Sequence, residues 1–172
     1  MNKRGQAIAF LPYLLVGLVI LFIFAMIAVP MASITDDIID ELQKDDNFGS
    51  SERGNASMTQ VKGLVTPALD QLIFIILIGI IMGLILLAIF SDFDPVLITV
   101  IIIAIVLFVI IAGLLSGVYV DFMANDQFSD KASEFTLTNV VMGPQLPIII
   151  LIAGAIMLII LFAKKGRAIS PV

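Results

Sequence analysis

Long apolar runs alternate with polar segments along the chain, and four of these runs contain no acidic or basic residue. They cover residues 8–29, 72–90, 96–118 and 146–163. At about 1.5 Å of rise per residue, a helix over such a run crosses the roughly 30 Å of hydrocarbon in a bilayer. Because a chain in lipid must satisfy its backbone hydrogen bonds within each segment, the isoleucine-rich runs predict helices rather than strands. We therefore expect an all-α polytopic membrane protein with four transmembrane helices in one integral membrane domain, residues 1–172.

Three polar connections join the predicted spans and define how they are paired. Residues 91–95 are expected to form a tight turn on the cytoplasmic side, in which Asp94 and Pro95 are typical of a helix start. The longer connections at 33–71 and 119–145 are expected to form outer loops. The four spans then form two hairpins, each closed by an outer loop.

The outer connections retain some apolar spacing of their own. Ile34, Ile38 and Leu42 recur at intervals of four residues after Pro30, which is expected to end or kink the first span. Residues 58–70 regain a similar spacing before the second span. These patterns predict short amphipathic helices on the outer membrane surface.

Composition strengthens the membrane assignment and narrows the chemistry. Hydrophobic residues make up 60% of the chain and charged residues 13%, with a mean hydropathy of +1.17. A soluble domain is about 45–50% apolar and about 25% charged. The chain also has no His and no Cys, which excludes thiol chemistry, disulfides and most metal or general-base sites.

The basic residues indicate the orientation in the membrane. The two tails carry five of the nine basic residues and no acid, whereas acids outnumber bases in the connections. By the positive-inside rule, both termini are expected to lie in the cytoplasm. The same residues are expected to contact anionic lipids; they are Lys3, Arg4, Lys164, Lys165 and Arg167.

The predicted spans offer little to an enzyme or a carrier. Their polar side chains are Tyr13, Thr99 and Ser116, and no charged residue lies among them. Intramembrane charges are typical of pumps and coupled carriers, and a Ser116 nucleophile would need a base that the spans lack. We therefore expect no catalytic site, no cofactor and no metal.

Small residues are the main pattern within the spans. Gly79 and Gly83 lie four apart in the second span, Gly113 and Gly117 four apart in the third, and Gly154 lies in the fourth. Such small-xxx-small faces allow two helices to approach closely in a membrane. We expect these glycines to be helix-packing positions, either within the bundle or between subunits.

The N-terminal sequence Lys3-Arg4-Gly5-Gln6, followed at once by an apolar run, resembles the class III, prepilin-type leader of archaeal membrane and surface-filament proteins. The resemblance implies cleavage between Gly5 and Gln6 by a leader peptidase. Pilins carry Glu where this chain has Phe10, and they lack three further spans. The resemblance therefore implies a small multi-spanning protein of an archaeal cell or an archaeal virus.

These patterns favour a non-enzymatic structural or scaffolding membrane protein that self-associates in an envelope, a virion membrane or a membrane complex. The expected partners are membrane lipids and either further copies of the chain or other membrane subunits, with no nucleic acid. Two alternatives remain at this point. One is a holin-like or other pore-forming protein, and the other is an accessory subunit of a larger membrane complex.

Overall fold

A computed structural model describes residues 3–45, 51–91 and 95–168, with side chains described over 11–45, 51–91 and 95–164. Within these ranges the protein is helical and has no strand, which confirms the all-α prediction. The helices are α1 (Lys3–Lys44), α2 (Glu52–Phe90), α3 (Pro95–Met123), α4 (Ser129–Ser133), α5 (Thr136–Met142) and α6 (Leu146–Ala168).

Four of these helices are long and apolar enough to cross a membrane, judged by length and composition. The candidate spans are Leu11–Lys44, Glu52–Phe90, Pro95–Met123 and Leu146–Lys164. The prediction of four candidate transmembrane helices is therefore confirmed. Many isoleucines and leucines on their surfaces are exposed, including Ile20, Ile75, Ile103 and Ile159, as suits helices that face lipid.

The first two long helices extend well beyond the predicted spans. α1 has 42 residues and α2 has 39, so at about 1.5 Å per residue each is close to twice as long as the hydrocarbon is thick. Residues 33–44 form the last turns of α1 rather than a separate short helix. The predicted loop 33–71 is thus largely helical in the ranges 33–44 and 52–71.

Pro30 lies inside α1 and does not end it. A proline in a helix removes one backbone hydrogen bond and costs about 3 kcal/mol in isolation. Here Ala28, Val29 and Ala32 beside it are fully buried in the bundle core. Their packing holds the backbone helical on both sides of the proline, which local sequence rules do not take into account.

The long helices pack as a four-helix bundle. α1 contacts α2 and α3, while α6 contacts α2 and α3 on the other side. The side chains of α1 that face the core recur at alternating intervals of three and four residues, which is the spacing found in left-handed coiled coils. Its members are Leu11, Leu14, Leu18, Leu21, Ala25, Ala28 and Ala32.

Candidate functional site at the polar end of the bundle

Buried polar groups gather at one end of the bundle, called here the polar end. It consists of the last turns of α1, the first turns of α2, the end of α3, and the two short helices α4 and α5. Phe135, Thr138 and Met142 of the α4–α5 segment are fully buried. The segment therefore packs into the end of the bundle, where it brings together side chains that are far apart in the sequence.

Asp70 of α2 caps the N-terminus of α5. Asp70 as a residue is 6% exposed, and its carboxylate accepts hydrogen bonds from the Leu137 N–H (3.0 Å), the Thr138 N–H (2.6 Å) and the Thr138 hydroxyl (2.7 Å). The first N–H groups of a helix have no partner within it, and the side chain of the N-cap residue Phe135 makes no capping bond. Asp70 supplies the missing acceptor from another helix and so fixes α5 on α2.

Lys131 of α4 forms the second link to the rest of the bundle. Its ammonium donates to Asp36 Oδ2 of α1 (2.5 Å) and to Glu134 Oε2 (2.7 Å). The Lys131 and Asp36 side chains are only 11% and 17% exposed, so this pair is shielded from water. Burial lowers the pKa of Lys131, but the hydrogen bonds with Asp36 and Glu134 outweigh burial and hold that pKa above its ordinary value. The ammonium therefore stays charged at physiological pH.

A third set of contacts ties the end of α3 to α5. Buried Ser116 donates to the Gly143 carbonyl (2.7 Å), and the Tyr119 hydroxyl donates to Asn139 Oδ1 (2.7 Å). Asn139 in turn donates through Nδ2 to the Ala132 carbonyl (2.7 Å). Ser116, which the sequence marks as a conceivable nucleophile, is thus a hydrogen-bond donor to the backbone. These hydrogen bonds join the end of α3 to α5 and join α5 to α4, and so fix the three helices relative to one another.

A cavity of about 320 Å³ lies beside this third set of contacts. Tyr119 and Met123 of α3 line one side, while Ser133, Asn139 and Pro144 line the other. The polar atoms of Tyr119 and Asn139 are already joined to each other, so they offer few free groups to a ligand.

Of the five predicted packing glycines, Gly154 of α6 makes the closest approach to another helix. A Cβ built on Gly154 would lie 2.8–2.9 Å from three side-chain atoms of Ile105 on α3. Gly83 and Gly113 leave ordinary contact distances, 3.8 Å to Leu14 and 3.9 Å to Pro147. These three glycines are used inside the bundle, Gly154 most tightly.

Gly79 and Gly117 are not used in this way. Both are exposed, and no described atom of another residue lies within 4 Å of a Cβ built on either one, apart from the neighbours and backbone of its own helix. The structure therefore divides the five glycines into three whose added Cβ would contact another helix and two whose added Cβ would meet no described atom; Gly113, in the first group, is itself exposed.

Lys164, a predicted topology and lipid contact, lies against the end of α2. Its ammonium donates to the carbonyls of Ala88 (3.0 Å), Ile89 and Ser91 (2.7 Å). The last carbonyls of a helix lack partners, and a cation there is favourable. Lys164 is thus a C-terminal cap for α2. The other predicted lipid contacts lie outside the described side chains; they are Lys3, Arg4, Lys165 and Arg167. Asp94, which is predicted to cap the third span, also lies outside the described residues.

We expect Lys164→Met to loosen the C-terminal turn of α2 by about 1–2 kcal/mol, because several carbonyls lose a charged donor. Hydrogen–deuterium exchange in detergent should show faster exchange of the amides over 87–91. Lys44→Met, which removes an exposed lysine at the end of α1, is the matched control and should leave those amides unchanged. Equal exchange in both variants would show that the Lys164 cap does not hold α2.

Sequence reasoning missed the residues that organise the polar end. The sequence indicates Asp70 and Lys131 only as charges of the outer connections, and Asp36 only as a capping acid in the first turn of a short helix. One signal was available: Asp70 is a lone acid between apolar stretches of α2, where a partner is needed. Its partner at Thr138 is 68 residues away, and no local pattern indicates it.

Comparison with known proteins adds no relative to this picture: no family model, no curated protein and no solved structure matches the chain. Within the described ranges, no group of three or more His, Cys, Asp or Glu residues is placed to hold a metal ion.

Proposed function

We propose that this protein is a non-enzymatic, structural integral membrane protein that self-associates through its transmembrane surface, as a scaffold in an envelope, a virion membrane or a membrane complex. The observation that carries the proposal is the exposed pair Gly79 and Gly117. Each is a glycine on a long apolar helix, and neither takes part in packing within the bundle.

Exposed glycines between large side chains form notches on a helix surface. Ile75 and Met82 flank Gly79 on α2, and Leu114 and Val118 flank Gly117 on α3, all of them exposed. Without a hydrophobic drive between helices in lipid, close packing at small residues supplies the attraction. A helix of another copy can approach the backbone at these notches more closely than elsewhere on the surface. This supports association of the chain with itself.

The proposed orientation places both termini in the cytoplasm and the polar end outside, with α1–α2 and α3–α6 as two hairpins across the membrane. The charge of the tails supports it, since a basic segment is retained on the cytoplasmic side. On the outer side, Ile34, Ile38 and Leu42 form an exposed apolar stripe along the last turns of α1. We propose that Ile34, at the start of this stripe, contacts lipid headgroups, which are the other expected partner of the protein.

We expect the double variant Gly79→Leu, Gly117→Leu to lose the oligomer while keeping the fold, because each leucine fills a notch and displaces the neighbouring helix. The mass of the purified particle, measured by light scattering in mild detergent, should fall from an oligomer to a monomer. Circular dichroism should show unchanged helix content, since both positions have open space around them.

Gly63→Leu is the matched control, since Gly63 also has open space around it but lies on α2 before the predicted span. It should leave the particle mass unchanged. A wild-type protein that is strictly monomeric in both detergent and lipid nanodiscs would refute the proposal. A particle containing a second, different protein would instead identify an accessory subunit.

A further inference from the structure

Two buried oxygen atoms at the polar end have no hydrogen-bond partner among the described residues: Asp36 Oδ1 on α1 and Thr66 Oγ1 on α2. Thr66 is 3% exposed, so bulk water does not reach its hydroxyl. Nearly all buried polar atoms in proteins are hydrogen-bonded, because a buried polar atom without a partner destabilises the fold. A specific group must therefore satisfy these two atoms.

The register of α1 against α2 brings the two residues to the same level of the helix pair. Gln43 donates to Thr59 across the helix pair, and one turn further on Lys62 donates to Asp40. Moving three residues back along α1, from Gln43 to Asp40, thus corresponds to moving three residues forward along α2, from Thr59 to Lys62. Four residues further in the same directions, on the same helix faces, are Asp36 of α1 and Thr66 of α2.

The Thr66 hydroxyl also departs from the usual behaviour of a threonine in a helix. Thr35, Thr59 and Thr99 each donate to the carbonyl four residues back in their own helix. Thr66 makes no such bond. Its hydroxyl is therefore free to bond to a group outside its own helix.

We infer that Asp36 and Thr66 together bind one ordered water molecule between α1 and α2. The charges around the site favour a neutral occupant. Lys131 already holds Asp36 Oδ2 at 2.5 Å, and Lys62 lies one turn from Thr66, so a cation would be repelled. An anion would be repelled by the Asp36 carboxylate. Water can donate to Asp36 and pair with the Thr66 hydroxyl, and a buried site with such polar partners suits it.

The direct test is a crystal structure of the protein grown in a lipid mesophase, at a resolution that shows ordered water. We expect one density peak about 2.7–3.2 Å from both Asp36 Oδ1 and Thr66 Oγ1. The peak should persist in Thr66→Ser and disappear in Thr66→Val. A direct bond between the two side chains with no peak would overturn the inference. So would a peak about 2.3–2.6 Å from several oxygens, which is the distance of a bound metal ion.

Thermal unfolding in detergent gives a second test that needs no crystal. If Thr66 holds a water, Thr66→Val should lower the unfolding temperature, because Asp36 loses its bridged partner, and Thr66→Ser should recover most of the loss. If the hydroxyl is instead unsatisfied, valine of the same shape should raise the unfolding temperature. Thr99→Val, which removes an exposed hydroxyl bonded to the Pro95 carbonyl of its own helix, is the matched control. A rise or no change for Thr66→Val would overturn the inference.

Discussion

Replacing Gly154 by alanine is expected to destabilise the protein by about 1–3 kcal/mol, and replacing it by leucine by more, because added atoms in a filled interface force the packing to shift. The new Cβ would lie within 3 Å of both branches of Ile105, and not only of its flexible end. α3 and α6 would have to separate along this contact. Thermal unfolding in detergent, followed by circular dichroism, should show a lower midpoint for alanine and partial loss of helix for leucine.

Two variants separate this steric effect from helix propensity. Gly63→Ala makes the same change where the added Cβ meets open space, so it should keep or raise the midpoint. Adding Ile105→Ala to Gly154→Ala makes room for the new methyl group and should cost less than the sum of the two single changes. A midpoint unchanged by Gly154→Ala alone would mean that α3 and α6 do not pack as closely as the structure shows.

The division of the glycines illustrates what hydropathy can predict and where it stops. The four candidate spans follow from runs without charge, because lipid excludes charged residues whatever the packing. Which glycine lies inside depends on the rotation of each helix about its axis. In water, polar residues mark the outer face of a helix. Here Ile75 facing outward and Ile73 facing inward are the same residue type, so the pattern does not reveal the rotation.

The length of α1 shows a second limit. Pro30 and the charged residues after it predict the end of the first span. The helix continues because Ala28 and Ala32 pack into the core on either side of the proline. The sequence thus indicates where the apolar run ends but not where the helix ends, since tertiary packing decides the second.

The links at the polar end could not be predicted, because each joins residues far apart in the sequence. Lys131 and Asp36 are 95 residues apart, and Thr138 and Asp70 are 68 apart. The sequence shows an excess of acids in the connections at 33–71 and 119–145, which is typical of solvated loops. In the structure, part of that charge is buried and caps or joins helices. The charge count is the same in both cases, and only the fold decides its role.

Asp70→Ala is expected to destabilise the polar end by about 3 kcal/mol, because the change leaves three donors of Leu137 and Thr138, two of them buried, without an acceptor. Loss of the cap should release α5 first, since α5 has only seven residues and cannot hold its own N-terminus. Hydrogen–deuterium exchange should accelerate at the amides of residues 137 and 138 well before the transmembrane helices respond, and the midpoint of thermal unfolding should fall.

Asp70→Asn sets the scale of this effect, because an amide oxygen can still accept from α5 but carries no charge. We expect roughly half the loss seen with alanine, since a hydrogen bond to a charged group is worth about twice a neutral one. Asp37→Ala removes an exposed acid of α1 and should leave both measurements unchanged. If the amides of residues 137 and 138 exchange at the wild-type rate in Asp70→Ala, then α5 is held by the burial of Phe135 and Met142 alone, and the carboxylate is not its cap.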